Sequence, residues 1–172
     1  MTTKGAPKVM RSNKGFQLRL DLYDACVLLK LAEQAAPSEC CGLIFQHFKT
    51  WAEIVALKNV ADDPTHQFHI DRQDYLQACM RYDRKPMAVF HSHPHSQPTP
   101  SATDLQLMDA LEACNTGMEM VIVGLTPPTV NRYRKIENVY RCLETIVVPT
   151  DALADQLYAV TRSHAIHYTE SQ

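Results

Sequence analysis

The sequence runs from an apolar stretch, Met87-Ala88-Val89-Phe90, through His91-Ser92-His93-Pro94 into a proline-rich segment, and then reaches Ser101-Ala102-Thr103-Asp104. No other part of the chain constrains the fold as tightly, because this order has to be strand, loop and helix in succession. The apolar run reads as a buried strand that ends in the histidines. Residues i and i+2 of a strand share a face, so His91 and His93 point one way and Ser92 the other. Pro94 ends the pairing, and Pro94 to Pro100 holds three of the ten prolines, which predicts an ordered but irregular loop. Ser101 stands where an N-cap belongs. Leu105, Met108, Leu111 and Glu112 follow at near-helical spacing, which puts Asp104 at the third helical position, where the positive helix end favours its anion.

Two imidazoles, a carboxylate and a hydroxyl within fourteen consecutive residues are the make-up of a hydrolytic metal site. Catalytic zinc takes three protein ligands and leaves a fourth position to water, and His91, His93 and Asp104 fill that quota. The competing reading makes Asp104 half of a capping box and the histidines core residues bonded to backbone.

Glu39-Cys40-Cys41-Gly42-Leu43-Ile44-Phe45, followed at a distance by His91-Ser92-His93-Pro94, Ser101 and Asp104, resembles the JAMM/MPN-plus (Mov34-type) zinc metalloprotease family, and most closely its small bacterial and phage-type members. The resemblance extends from about Leu18 to about Val148. It implies a sandwich-like α/β fold of cytidine-deaminase-like architecture, with a curved, mixed but mostly antiparallel sheet flanked by helices. It also implies zinc-dependent hydrolysis of peptide or isopeptide bonds, with one Zn2+ per chain on His91, His93 and Asp104. Glu39 then matches the family's general base, a carboxylate beside the metal that takes a proton from water and returns it to the leaving amine. Ser101 matches the serine whose hydroxyl assists the oxyanion, a role that competes with its N-cap role.

The remaining candidate ligands are weaker. Pro94 breaks strand geometry between His93 and His95, so His95 is expected at the mouth of the cleft. His66 and His69 flank Phe68, and His164 and His167 lie near the C-terminus; surface or packing roles are expected for all four. Asp62-Asp63 reads as a turn before Pro64, since no further ligands follow at calcium-loop spacing. Cys26, Cys40, Cys41, Cys79, Cys114 and Cys142 form no Cys-x-x-Cys pair, and Cys40 and Cys41 should face opposite sides of a strand. Free thiols in a reducing cytoplasm are expected, given that no signal peptide is evident. A thiol protease built on Cys40 or Cys41 with His91 is the rival mechanism.

At 172 residues and 45% hydrophobic content the chain can bury a core without staples. A formal net charge of -2 gives no footprint for nucleic acid or membrane, and no apolar stretch reaches membrane-spanning length. Residues 1–15 read as a mobile basic tail, 16–149 as the metalloprotease domain and 150–172 as a helical extension. Strands are expected at Phe16–Leu20, Gly42–Phe48, Ala52–Asn59, Phe68–Ile70, Met87–His93, Met120–Gly124, Asn131–Ile136 and Arg141–Val148. Helices are expected after Asp21, with Leu22, Cys26, Leu29 and Ala32 inward, after Asp71 to about Met80, and from Ser101 to Gly117. Thr150 can cap a last helix whose stripe of Leu153, Leu157 and Val160 either closes the domain's own core or meets a partner, a homodimer included.

The expected substrate is a protein or peptide, at this size a ubiquitin-like or sulfur-carrier protein tail. A phage tail assembly peptidase and a non-catalytic binding scaffold are the alternatives. Phage tail members continue into a cell-wall peptidase domain, for which this sequence shows no segment.

Overall fold

The computed structural model describes residues 17–47, 51–114 and 116–149. One six-stranded sheet organises them. Its strands are β1 (Cys41–His47), β2 (Trp51–Leu57), β3 (Ala88–His93), β4 (Glu119–Leu125), β5 (Pro128–Ile136) and β6 (Val139–Val147), in spatial order β2-β1-β3-β4-β5-β6. Only β3 and β4 run parallel, and α3 (Ala102–Ala113) is the crossover between them. The other neighbours are antiparallel, so the sheet is mixed and mostly antiparallel, as expected.

Strand alternation sorts the side chains onto two cores. α1 (Leu22–Ala35) covers one face, where Ala25, Leu28, Leu29 and Ala32 meet Ile44, Ala88, Phe90, Val121 and Val123. On the other face Met108 and Leu105 of α3 and Cys79 of α2 (Arg72–Tyr82) pack with Leu43, Phe45, Val89 and Ile122. α1 and α2 start where expected, capped by Asp21 and Asp71. Gly42 lies where three elements press together: a Cβ there would stand 2.1 Å from the Val55 carbonyl and 2.6 Å from the Phe90 ring.

Several expected boundaries differ. Residues 17–20 form no ladder; Leu18 and Leu20 are buried, but the Arg19 amide donates to the Gln46 side chain, so this segment tucks under the sheet without joining it. Leu22, in the first turn of α1, stays 37% exposed rather than facing inward. Phe68–Ile70 contributes one isolated bridge, Asn59 to Ile70, because the loop is held by side-chain bonds instead. α3 ends at Ala113, before Gly117, which takes a left-handed φ in the connector to β4. β5 starts at Pro128, tolerated at a strand's first position, where the proline carbonyl accepts from the Val148 amide. The terminal stripe, His164 and His167, and the two terminal segments lie outside the described residues.

Candidate metal centre

β3 ends between β1 and β4, with His91 opposite Cys41 on one side and Ile122 on the other, so its last residues are held from both flanks. Alternation sends His91 and His93 to the face that carries α3, as expected, and Ser92 to the opposite one. There the Ser92 hydroxyl accepts from the Cys40 amide at 2.8 Å, and the Ser92 amide donates to the Cys40 carbonyl. These bonds fix the Glu39-Cys40 step against the histidine strand.

The loop that follows is pinned from below. The Pro98 carbonyl accepts from Tyr133 Oη at 2.8 Å and from Asn131 Nδ2 at 3.0 Å, and the proline ring covers Gly124, where a Cβ would come within 2.8 Å of it. That anchor delivers Ser101 to the start of α3. The Ser101 hydroxyl accepts from the Asp104 amide and the Asp104 carboxylate accepts from the Ser101 amide at 2.7 Å. Asp104 is therefore half of a capping box and a member of the cluster at once; the two readings of this residue are compatible because one carboxylate has lone pairs for both.

His91 Nε2 lies 3.0 Å from His93 Nε2 and 3.1 Å from Asp104 Oδ1, and His93 Nε2 lies 3.3 Å from Asp104 Oδ2. A tetrahedral zinc about 2.0–2.1 Å from each of its ligands sets them roughly 3.3 Å apart; the two histidine nitrogens lie near that spacing from each other and each from a different oxygen of Asp104. All three are buried. His93 Nδ1 faces the Gln97 carbonyl at 3.1 Å, a partner at the far nitrogen that leaves Nε2 turned toward the cluster. Burial holds the His91 imidazole below its usual pKa, outweighing the bond to Asp104 that would raise it. Burial would raise Asp104, yet its bonds with His91 and His93 hold its carboxyl far below the ordinary range. A carboxylate and two imidazole nitrogens, buried together, are a donor set that can hold a metal ion.

Glu39 sits just before β1, buried rather than exposed, and lines a cleft of about 330 Å³ with His93, Ser101 and Asp104. Burial pushes its carboxyl up to about 7; His93 pulls the other way and Asp104 adds to the rise. His95 lines the same cleft, as expected at its mouth, and so does His66, whose ring Nδ1 is 3.0 Å from Asp63. His69 and the Asp62-Asp63 turn bring nothing to the cluster. The thiols are unsuited to the rival mechanism: burial raises Cys40 to about 11 and Cys41 to about 12, so neither offers a thiolate. All six cysteines are free, and Cys114 and Cys142 are exposed.

Residues 25–136 match the family described as prokaryotic homologs of the JAB domain. The chain belongs to that family. This JAB-domain chain is also 31% identical over 93 residues to the tail tip assembly protein K of Escherichia phage N15, a match that takes in 54% of this chain and 36% of that protein. The chain thus spans about a third of the length of that relative. No helix among the described residues of the JAB domain is long and apolar enough to cross a membrane.

Proposed function

We propose that this JAB-domain protein is a zinc-dependent hydrolase of peptide or isopeptide bonds, acting on a protein or peptide in phage tail tip assembly. The observation that carries the chemistry is the clustering of His91, His93 and Asp104, with His93 and Asp104 lining the cleft that Glu39 also lines. The likeness to protein K favours the tail-assembly setting over a ubiquitin-like or sulfur-carrier substrate.

Zinc, when bound, supplies a Lewis acid that polarises the scissile carbonyl and acidifies water. Glu39 is not one of the three clustered groups, so its carboxylate is left to accept the proton from the attacking water and hand it to the leaving amine. Glu39 lines the cleft beside His93 and Asp104, and its burial favours taking up the proton it would receive from water. The Ser101 hydroxyl accepts from the Asp104 amide, which leaves its own O–H free to donate toward a developing oxyanion. Capping and oxyanion assistance therefore use opposite ends of one hydroxyl. The loop 94–100, anchored at Pro98, and the capped helix hold these groups in place before substrate arrives.

Glu39→Gln tests this reading. The amide keeps size and hydrogen bonding while removing the proton acceptor, so zinc content should stay and the hydrolytic rate should fall by about a hundredfold or more. Used as a trap against lysate from phage-infected and uninfected cells, the variant should retain a tail protein. Capture of a ubiquitin-like or sulfur-carrier protein would reassign the substrate, and hydrolysis at the wild-type rate would move the base elsewhere. A folded, zinc-loaded wild type without hydrolysis of the captured protein would make the chain a binding scaffold.

A further inference from the structure

The two histidines of the cluster are oriented differently. His93 is fixed through its far nitrogen, Nδ1, against the Gln97 carbonyl. His91 Nδ1 is buried without a hydrogen-bond partner among the described residues. Metal-binding histidines usually owe their ring orientation to a hydrogen bond at the far nitrogen. For His91 the structure offers a ring instead: Phe68 stacks on it with centroids 4.4 Å apart and planes 20° from parallel.

Phe68 belongs to no regular element, so its own position has to be explained. The loop from Asn59 to Ile70 is closed by the isolated bridge between those two residues and filled by the Asn59 side chain. Asn59 Nδ2 reaches three carbonyls, at 3.1 Å to Glu39, 3.5 Å to Pro64 and 2.9 Å to Gln67, while its Oδ1 accepts from the amides of Ala61 and His69 at 3.0 Å. Two of those contacts, Gln67 and His69, bracket Phe68. A third holds the backbone of Glu39, whose amide also donates to the Pro64 carbonyl at 2.7 Å.

We infer that Phe68 is the positioning residue for His91, its ring stack replacing the missing hydrogen bond at Nδ1, and that Asn59 clamps the loop which holds Phe68 there. The inference rests on the metal-binding reading above. It makes the 59–70 loop a support for the metal site as well as a wall of the cleft, and it places one side chain, Asn59, in contact with both the backbone of Glu39 and the support of His91.

The test is zinc affinity by chelator competition, with the visible spectrum of the cobalt-substituted protein as a signature of ligand geometry. Phe68→Ala should weaken zinc binding by about tenfold or more and alter the cobalt bands, within the range seen when groups supporting a ligand are removed. Phe68→Leu, which keeps bulk but lacks a ring face, should show the same direction with a wild-type melting temperature, and Phe68→Tyr should restore both readouts. Asn59→Ala should match Phe68→Ala in zinc affinity. If Phe68→Ala and Phe68→Leu bind zinc as tightly as the wild type with unchanged cobalt spectra, the inference is overturned while the metal site stands. If the wild type binds no metal, both fall together.

Discussion

Two clusters of buried polar side chains lie on opposite faces of the sheet, and they differ in one respect. Arg132 on β5 is closed on itself: its guanidinium reaches Glu119 through Nε at 2.9 Å and Nη2 at 3.2 Å, and Nη1 reaches Glu144. Donors meet acceptors, and the buried Glu119 carboxylate has a guanidinium against it. The His91, His93 and Asp104 cluster is not closed. It brings two imidazole nitrogens and a carboxylate edge to edge with no lysine or arginine among them, and His91 Nδ1 has no hydrogen-bond partner among the described residues. Burial alone therefore does not mark a functional site; what marks it is a buried set whose needs the protein does not itself meet.

The contrast can be broken by mutation. His91→Leu should abolish stoichiometric zinc binding, yet cost the metal-free protein less stability than Arg132→Met does, because Asp104 keeps His93 and the Ser101 amide as partners. Arg132→Met should do the reverse. It leaves Glu119 buried and uncompensated, at a cost of about 3–5 kcal/mol in denaturant unfolding, while zinc content in the folded fraction is unchanged. Loss of zinc in Arg132→Met, or a large fall in stability in metal-free His91→Leu, would erase the distinction.

A smaller effect concerns pH. Burial raises Glu39 from the usual 4.5 to about 7, so the unfolded chain releases this proton first as pH rises. Metal-free wild type should therefore lose stability between about pH 4.5 and 7, on the order of 1–2 kcal/mol once solvent screening is allowed for. Asp104 acts oppositely and lower: its carboxyl is held below the usual 3.8, so its contribution is lost only as pH falls through the acid range. Melting curves in chelator should show a steeper decline in wild type than in Glu39→Gln. A parallel decline in the variant would assign it to another group, with Asp24, raised to about 6 by burial, the first to examine.

The smallest effect sharpens the Arg132 side. Glu144 is about 40% exposed, and Glu144→Ala leaves the Glu119 pairing in place, so the change should be about 0–1 kcal/mol. A larger loss would mean that Arg132 depends on both carboxylates.

The cluster and its supporting elements were legible in the sequence because each part is local. Alternation gives the shared face of His91 and His93, proline ends the strand, and Ser101 with Asp104 caps the helix within four residues. The apolar runs of β1 and β4 were legible for the same reason. What was not legible depends on register or distance. Arg132 finds Glu119 thirteen positions away only once β4 and β5 are paired. Ser92 meets Cys40 across 52 positions, and Asn59 reads only as the end of a strand until the chain returns past it. The β5–β6 turn was hidden for a subtler reason: Glu137 and Asn138 both take positive φ, a conformation usually signalled by glycine or a leading asparagine. Residues 17–20 show the limit from the other side, since their alternating burial is that of a strand but they join no ladder, and the Arg19 amide goes to the Gln46 side chain.

X-ray absorption at the zinc edge tests the metal assignment most directly, because it reports which atoms hold the ion. Wild type loaded with one zinc per chain should show only nitrogen and oxygen neighbours at about 2.0–2.1 Å, with the imidazole outer-shell pattern of two histidines. His91→Ala should lose that spectrum. Sulfur neighbours at about 2.3 Å, or a wild-type spectrum retained in His91→Ala and Asp104→Ala, would contradict the site formed by His91, His93 and Asp104.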